Sequence, residues 1–225
     1  SVSFLADNTG VPLQKLAVAL LIPFCALAAQ APLPGLRIEP TGGGSILYIR
    51  NTGSAPLAGF LIELVDYPGS SYSFWQDDIT HEPIPPGEEQ RTQVTNMTIG
   101  AVPEYVKMQA ALYADGSSAG IPEKITVLMN RRRFALETLH TLIERVEKAQ
   151  SAGTPKTSVI ADLKQWADSL QPAGKVKRNS QAAINQAAAR TLIADTTGSL
   201  EQHSLEEALT LLHTAEQRAS NLNSR

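Results

Sequence analysis

The sequence holds a single cysteine, Cys25, among 225 residues. One thiol excludes a disulfide framework and a multi-cysteine zinc site. No segment reads G-x-x-x-x-G-K-[ST] or H-E-x-x-H. The phosphate-binding loop and the two-histidine zinc helix are therefore missing as motifs. Charged residues make up 18%, below the roughly 25% of typical soluble domains. Net charge is −3 and the pI about 5.8, which argues against a dedicated nucleic-acid binder. What is present suffices for folding. Hydrophobic residues at 43% can bury a core. The length allows one large domain or two small ones.

Lys15 precedes an apolar run over residues 16–29, closed by Ala26-Leu27-Ala28. At about 14 residues it falls short of the roughly 20 that span a bilayer. A basic residue, a short apolar stretch and small residues at its end have the form of a secretory signal peptide, with cleavage expected after Ala28. Ser1 is not a usual start, and Val11 is a candidate start from a non-standard initiation codon. Phe24 stands before Cys25 where a lipoprotein signal needs a small residue. Export would remove Cys25 and leave a mature chain with no thiol chemistry.

The composition changes near residue 122. Residues 32–122 hold four basic and ten acidic side chains, a net of −6; residues 123–225 hold fourteen and eleven, a net of +3. Most prolines and glycines precede Glu123. The first part reads as strands: residues 36–39, 46–50, 60–65 with Phe60, Ile62 and Leu64 on one face, 88–95, and 105–113. In the last, Val106, Met108, Ala110 and Leu112 are expected on one face and Lys107 and Gln109 on the other, a period of two. Asn51-Thr-Gly53, Pro85-Pro-Gly87 and Asp115-Gly116 are turns.

Six or seven short strands in about 90 residues is the spacing of a β-sandwich. With Asn51-Thr-Gly-Ser-Ala-Pro56, Pro83-Ile-Pro-Pro-Gly-Glu88 and the 105–116 strand and turn, residues 36–121 resemble immunoglobulin-like domains of secreted bacterial proteins. The resemblance implies a scaffold, adhesive or structural, and brings no catalytic residue with it. The inter-sheet disulfide of antibody domains is absent.

The second part reads as helices. Ile125, Leu128, Met129, Leu136, Leu139, Leu142, Ile143 and Val146 recur at spacings of three and four. Ile125-Thr-Val127 is β-branched and open to a strand reading, but the stripe continues to Val146 and favours helix. Gly153 is expected to end this helix. Thr154-Pro155 is expected to start the next, with Val159, Ile160, Leu163, Trp166, Ala167 and Leu170 on its face. A third, alanine-rich helix includes Ala182, Ala183, Ile184, Ala187, Ala188 and Leu192, with Gly198 expected as its stop. Ser199-Leu-Glu-Gln202 reads as a capping box for a fourth, lined by Leu205, Ala208, Leu209, Leu212, Ala215 and Leu222. Short loops favour antiparallel neighbours, in a small bundle or a pair of helical hairpins.

Few residues suggest chemistry. Gly42-Gly-Gly-Ser45 precedes a strand and reads as a turn, not a phosphate cradle. His203 and His213 are ten apart, about 80° around a helix, so they do not share a metal. The segment from Asp66 to Glu82 gathers Tyr67, Tyr72, Phe74 and Trp75 beside Asp77 and Asp78. Aromatic faces beside carboxylates suit a sugar ring or a partner's anchor residues; the alternative is a sandwich strand with an aromatic plugging the core. Two adjacent acids on a strand point to opposite faces, which makes Asp77 and Asp78 poor calcium ligands. Asp78, His81 and Ser70 or Ser73 could be imagined as a catalytic triad, but no oxyanion pattern accompanies them. Arg131, Arg132 and Arg133 spread over about 200° of a helix, and Arg132 falls on the apolar stripe. They read either as docking the helix onto the acidic sandwich, with a carboxylate shared by Arg132, or as three solvated arginines. Lys175-Val-Lys-Arg178 is a second basic cluster, and Asn96-Met-Thr98 matches a glycosylation sequon.

These readings combine into an α+β chain with segregated parts. Residues 1–31 are upstream residues and signal peptide, 32–122 an immunoglobulin-like antiparallel sandwich, and 123–225 a helical hairpin bundle of about four helices. The expected function is that of an exported, non-enzymatic binding or scaffold protein of the cell envelope, periplasmic or extracellular, acting through protein–protein contacts or self-association. The alternatives are a carbohydrate-binding module using residues 72–75 and a hydrolase with an unrecognised site. No cofactor, metal, nucleic acid or transmembrane segment beyond the signal peptide is implied.

Overall fold

The computed structural model describes residues 31–67, 70–95, 105–170 and 180–220. The signal-peptide run, the Asn96 sequon, the Lys175–Arg178 cluster and Leu222 lie outside the described residues.

Strands come first: β1 (Gly35–Thr41), β2 (Gly44–Arg50), β3 (Leu57–Tyr67), β4 (Ser70–Asp77), β5 (Glu89–Thr95), β6 (Tyr105–Tyr113) and β7 (Ser118–Gly120). They form two antiparallel sheets of order β1-β2-β5 and β4-β3-β6-β7. The inward faces share one core: Leu47, Ile49 and Val94 of the first sheet meet Phe60, Ile62, Leu64, Met108, Ala111 and Tyr113 of the second. Gln76 and Gln90 exchange two side-chain hydrogen bonds, at 2.9 and 3.0 Å, and tie β4 to β5 across the sheets. Asn51 is fully buried. Its amide donates to the carbonyls of Ala55 and Ile84, each at 2.8 Å, and its oxygen accepts from Gly53 N–H. Gly53 is required there, because a Cβ would lie 2.7 Å from the Tyr113 ring.

The simple alternation expected of β6 does not hold. Leu61 faces Ala110 but Ile62 faces Met108, so Gln109 is an extra, bulged residue. A bulge reverses which side later residues face. Val106 and Met108 therefore join the inner core, while Ala110 and Leu112 pack on the outer face with Leu61 and Leu128. Gln109 is itself buried rather than solvated. Its carbonyl accepts from Ile121 N–H at 2.9 Å and anchors the entry to the helices.

Helices follow: α1 (Pro122–Ser151), α2 (Lys156–Ser169), α3 (Gln181–Gln202) and α4 (Leu205–Ser220). Residues 124–129 are helical, as the continuous stripe implies. Met129 departs from that stripe and is 55% exposed. The main backbone contacts run from α1 to α3 and α4 and from α2 to α3; of these pairs only α2 and α3 are consecutive in the chain. Their core joins Leu139, Leu142 and Val146 of α1 with Leu163, Ile193, Leu200 and Ala208.

Three helix boundaries differ from expectation. Pro155, not Thr154, is the cap of α2. Its fixed φ suits the first turn, and its carbonyl accepts from Val159 N–H at 3.2 Å. Gly198 does not stop α3, which continues to Gln202. A mid-helix glycine costs only about 1 kcal/mol, and Leu200 beyond it is completely buried. The capping box is not at Ser199–Gln202 but one turn later. Ser204 Oγ accepts from Glu207 N–H at 3.2 Å, and the Glu207 carboxylate accepts from Ser204 N–H at 2.8 Å. Ser204 N–H and the Ser204 hydroxyl, which donates to the same carboxylate at 2.9 Å, hold the Glu207 carboxyl below its ordinary range.

Candidate functional site

The chain leaves β4 through a turn over residues 77–81. The Asp77 carboxylate accepts from Ile79 N–H at 3.1 Å, and the Asp77 carbonyl accepts from His81 N–H at 3.1 Å. An aspartate that closes its own turn in this way needs no further loop residues. The turn is short enough to hold three side chains against the helices. Ile79 is 2% exposed and belongs to the helical core, not the sandwich core. The other two are Asp77 and Asp78.

Both aspartates meet arginines of α1. Arg131 donates to Asp77, and Arg132 donates to Asp78. Arg132 also donates to the carbonyl of Ala219 on α4 at 2.9 Å. The side chains of Asp78 and Arg132 are 4% and 6% exposed. Burial pushes the Asp78 carboxyl above the ordinary aspartate range, opposed by the Arg132 guanidinium. Beside them Arg218 of α4 donates to Glu82 at 2.6 Å. The opposite-face argument for Asp77 and Asp78 does not apply, because β4 ends at Asp77 and strand alternation ends with it. Each arginine has its own carboxylate, so none is shared. Arg133 is exposed and stands apart from this junction.

The aromatic segment divides. Tyr72 and Phe74 pack against the sandwich core, with Phe74 6.1 Å from the Phe60 ring. Trp75 lies on the other face with Leu61, Leu112 and Leu128. The Arg131 guanidinium sits 5.7 Å from the Trp75 ring centroid, within the range of a cation–π contact. Tyr67 is the last residue of β3, at the hairpin end. Tyr72, Phe74 and Trp75 therefore do not form one aromatic platform. Asp78 accepts from Arg132, and His81 Nδ1 lies 2.7 Å from the Thr80 hydroxyl. The triad imagined for Asp78 and His81 has no such contact. Among the described residues no three histidine, aspartate or glutamate side chains converge on a metal position.

Above Trp75 a cleft of about 620 Å³ separates the outer sheet face from α1 and α3. Its floor is Leu61, Glu63, Ser73 and Trp75. One wall carries Lys124, Val127 and Arg131, which a helix of 3.6 residues per turn puts on one face. The other carries Ala183, Ile184, Ala187 and Thr191 of α3. Small side chains on that wall leave the space between α3 and the sheet unfilled. Glu63 accepts from Gln109 Nε2 at 2.5 Å. None of the helical lining residues except Arg131 stands out in the sequence as functional. The available signal is the alanine spacing on α3, which gives the helix little to bury on that side.

Comparison with protein-family models, with curated proteins and with solved structures finds no match to this chain.

Proposed function

We propose that this chain is an exported, non-enzymatic binding protein of the cell envelope that holds a protein partner. The observation that carries this reading is the cleft itself, about 620 Å³, set between a sheet and helices joined by buried ion pairs. A volume of this size suits a ligand of drug-like dimensions or a short peptide strip. Rigid walls reduce the ordering cost of binding. Export is supported by the signal-like run before Ala28. The immunoglobulin-like resemblance is supported by the order of strands, with the first, second and fifth facing the fourth, third, sixth and seventh.

A protein partner is favoured over a sugar by the division of the aromatics. Sugar stacking needs an open ring face, and Trp75 shares its ring with Arg131 while Phe74 turns inward. The test is cell fractionation followed by cross-linking and capture with the full chain. We expect the chain in the envelope fraction with a protein partner in near-stoichiometric yield. A chain confined to the cytosol, or one that retains polysaccharide and no protein, would contradict the proposal.

A further inference from the structure

Two of the residues lining the cleft carry a full positive charge, Lys124 and Arg131. Arg131 is committed to Asp77 and lies over Trp75. The Lys124 ammonium has neither an ion pair nor a hydrogen bond among the described residues, although the residue is half-buried. Lys124 stands in the first turn of α1. A cation there opposes the helix dipole, so helix stability does not account for a lysine at this position. Glu123, the acidic residue of the same turn, is exposed and does not line the cleft.

The amino end of a second helix lies alongside. Gln181 Nε2 donates to the Val127 carbonyl at 3.3 Å, and Ala183 and Ile184 of the first turn of α3 line the cleft. That turn holds no acidic residue. A helix amino end carries about +0.5 charge. One ammonium and two helix amino ends therefore gather at this end of the cleft. The carboxylate left to oppose them is Glu63, which accepts from Gln109 and stands in register with Lys107 of β6. The balance favours one anionic group. The remaining surface is largely apolar, with Leu61, Trp75, Val127, Ile184 and Ala187.

We infer that the cleft captures the carboxyl terminus of a partner polypeptide, with an apolar last residue and the terminal carboxylate on Lys124. The inference rests on the protein-binding reading above and names the part of the partner that enters. A hydrogen bond between two charged groups is about twice as strong as a neutral one, which fits a single carboxylate to the free ammonium. A free alkyl carboxylate would set hydrocarbon against Glu63, and burying a charge without a donor is costly. A peptide end brings N–H groups, which the Glu63 carboxylate and the Ser73 hydroxyl can accept. Its last side chain has Trp75 and the small residues of the α3 wall to lie against.

The test is a library of N-acetylated pentapeptides with free carboxyl ends and the last three positions randomised, selected on the full chain and identified by mass spectrometry. Selected sequences are remade as free acids and as carboxamides, which lose the terminal charge and keep every side chain. Both forms are titrated against the full chain, against Lys124→Gln, and against Ala187→Trp, which fills the cleft from an exposed helical position. Lys124→Met and Thr191→Phe serve as second variants if either fails to fold by circular dichroism. Dodecanoate is titrated as the alkyl carboxylate. The expected result is free acids with apolar last residues that bind the unmodified chain at least tenfold more tightly than their carboxamides. That difference should vanish in Lys124→Gln, and both forms should weaken at least tenfold in Ala187→Trp. A carboxamide that binds as well as its free acid overturns the inference. So does an unchanged acid-to-amide difference in the folded Lys124 variant, equal binding to the folded cleft variant, or a library with no binder above background. Dodecanoate that binds through Lys124 more tightly than every peptide also overturns it. In the cellular capture, a partner retained equally by Lys124→Gln overturns terminal capture while leaving protein binding in force. Loss of any partner from the unmodified chain overturns the binding reading itself.

Discussion

Arg132 and Asp78, 54 residues apart in sequence, form a buried ion pair at the seam between sheets and helices. The arginine then reaches the Ala219 carbonyl and so joins the turn after β4, α1 and α4 through one side chain. Removing either partner leaves a buried charge without its counterion. We expect Arg132→Ala and Asp78→Ala each to destabilise the protein by about 3–5 kcal/mol. The double variant Asp78→Ala/Arg132→Ala should lose less than the sum, because contacting residues are not additive. Urea unfolding of all three variants measures this. Full additivity would mean that the two side chains do not interact.

The raised Asp78 carboxyl sets a pH dependence. A group whose folded value lies above its unfolded value contributes stability that is fully present below the unfolded value. That contribution is lost as pH rises through the folded value. The window therefore opens near the ordinary aspartate value of 3.8 and extends upward. Across it, wild-type stability should decline with rising pH relative to Asp78→Asn. A difference between the two proteins that grows in the opposite direction contradicts the burial argument.

Much of the strand and helix order is legible from turn residues and periodicity. The α1 stripe is visible because apolar residues recur at helical spacing from Leu128 to Val146. The arginine docking has a visible signal too, since Arg132 interrupts an apolar face. The bulge at Gln109 is not legible, because no residue type announces an unpaired position when both neighbours are apolar. Its consequence, two faces of β6 both buried, depends on α1 covering the outer sheet. The cleft is equally hidden. Its α3 wall consists largely of alanines that look like an ordinary buried face until the sheet opposite is known.

Gly198 offers a test of helix continuity. The position lies within α3, and no atom lies within 4 Å of where a Cβ would stand. Gly198→Ala should stabilise the protein by about 0.5–1 kcal/mol. A glycine that stopped the helix in the left-handed conformation would give a loss instead, and thermal unfolding separates the two signs.

Ile79 tests the same seam by packing. It comes from the sandwich turn but buries itself in the helical core. Ile79→Ala should cost about 2–5 kcal/mol. A cost under 0.5 kcal/mol, within the range of surface substitutions, would mean that the turn is not embedded there.

The most direct measurement of the central claim, that sheets and helices form one cooperative body, uses the two tryptophans. Trp75 reports from the outer sheet face and Trp166 from α2, where Arg145 lies 4.5 Å from its ring. Urea unfolding is followed by fluorescence in Trp75→Phe and Trp166→Phe, with circular dichroism as the common reference for each variant. The account predicts that fluorescence and circular dichroism coincide in a single transition in both variants. Two separated transitions, with Trp75 and Trp166 reporting different midpoints relative to that reference, would contradict it.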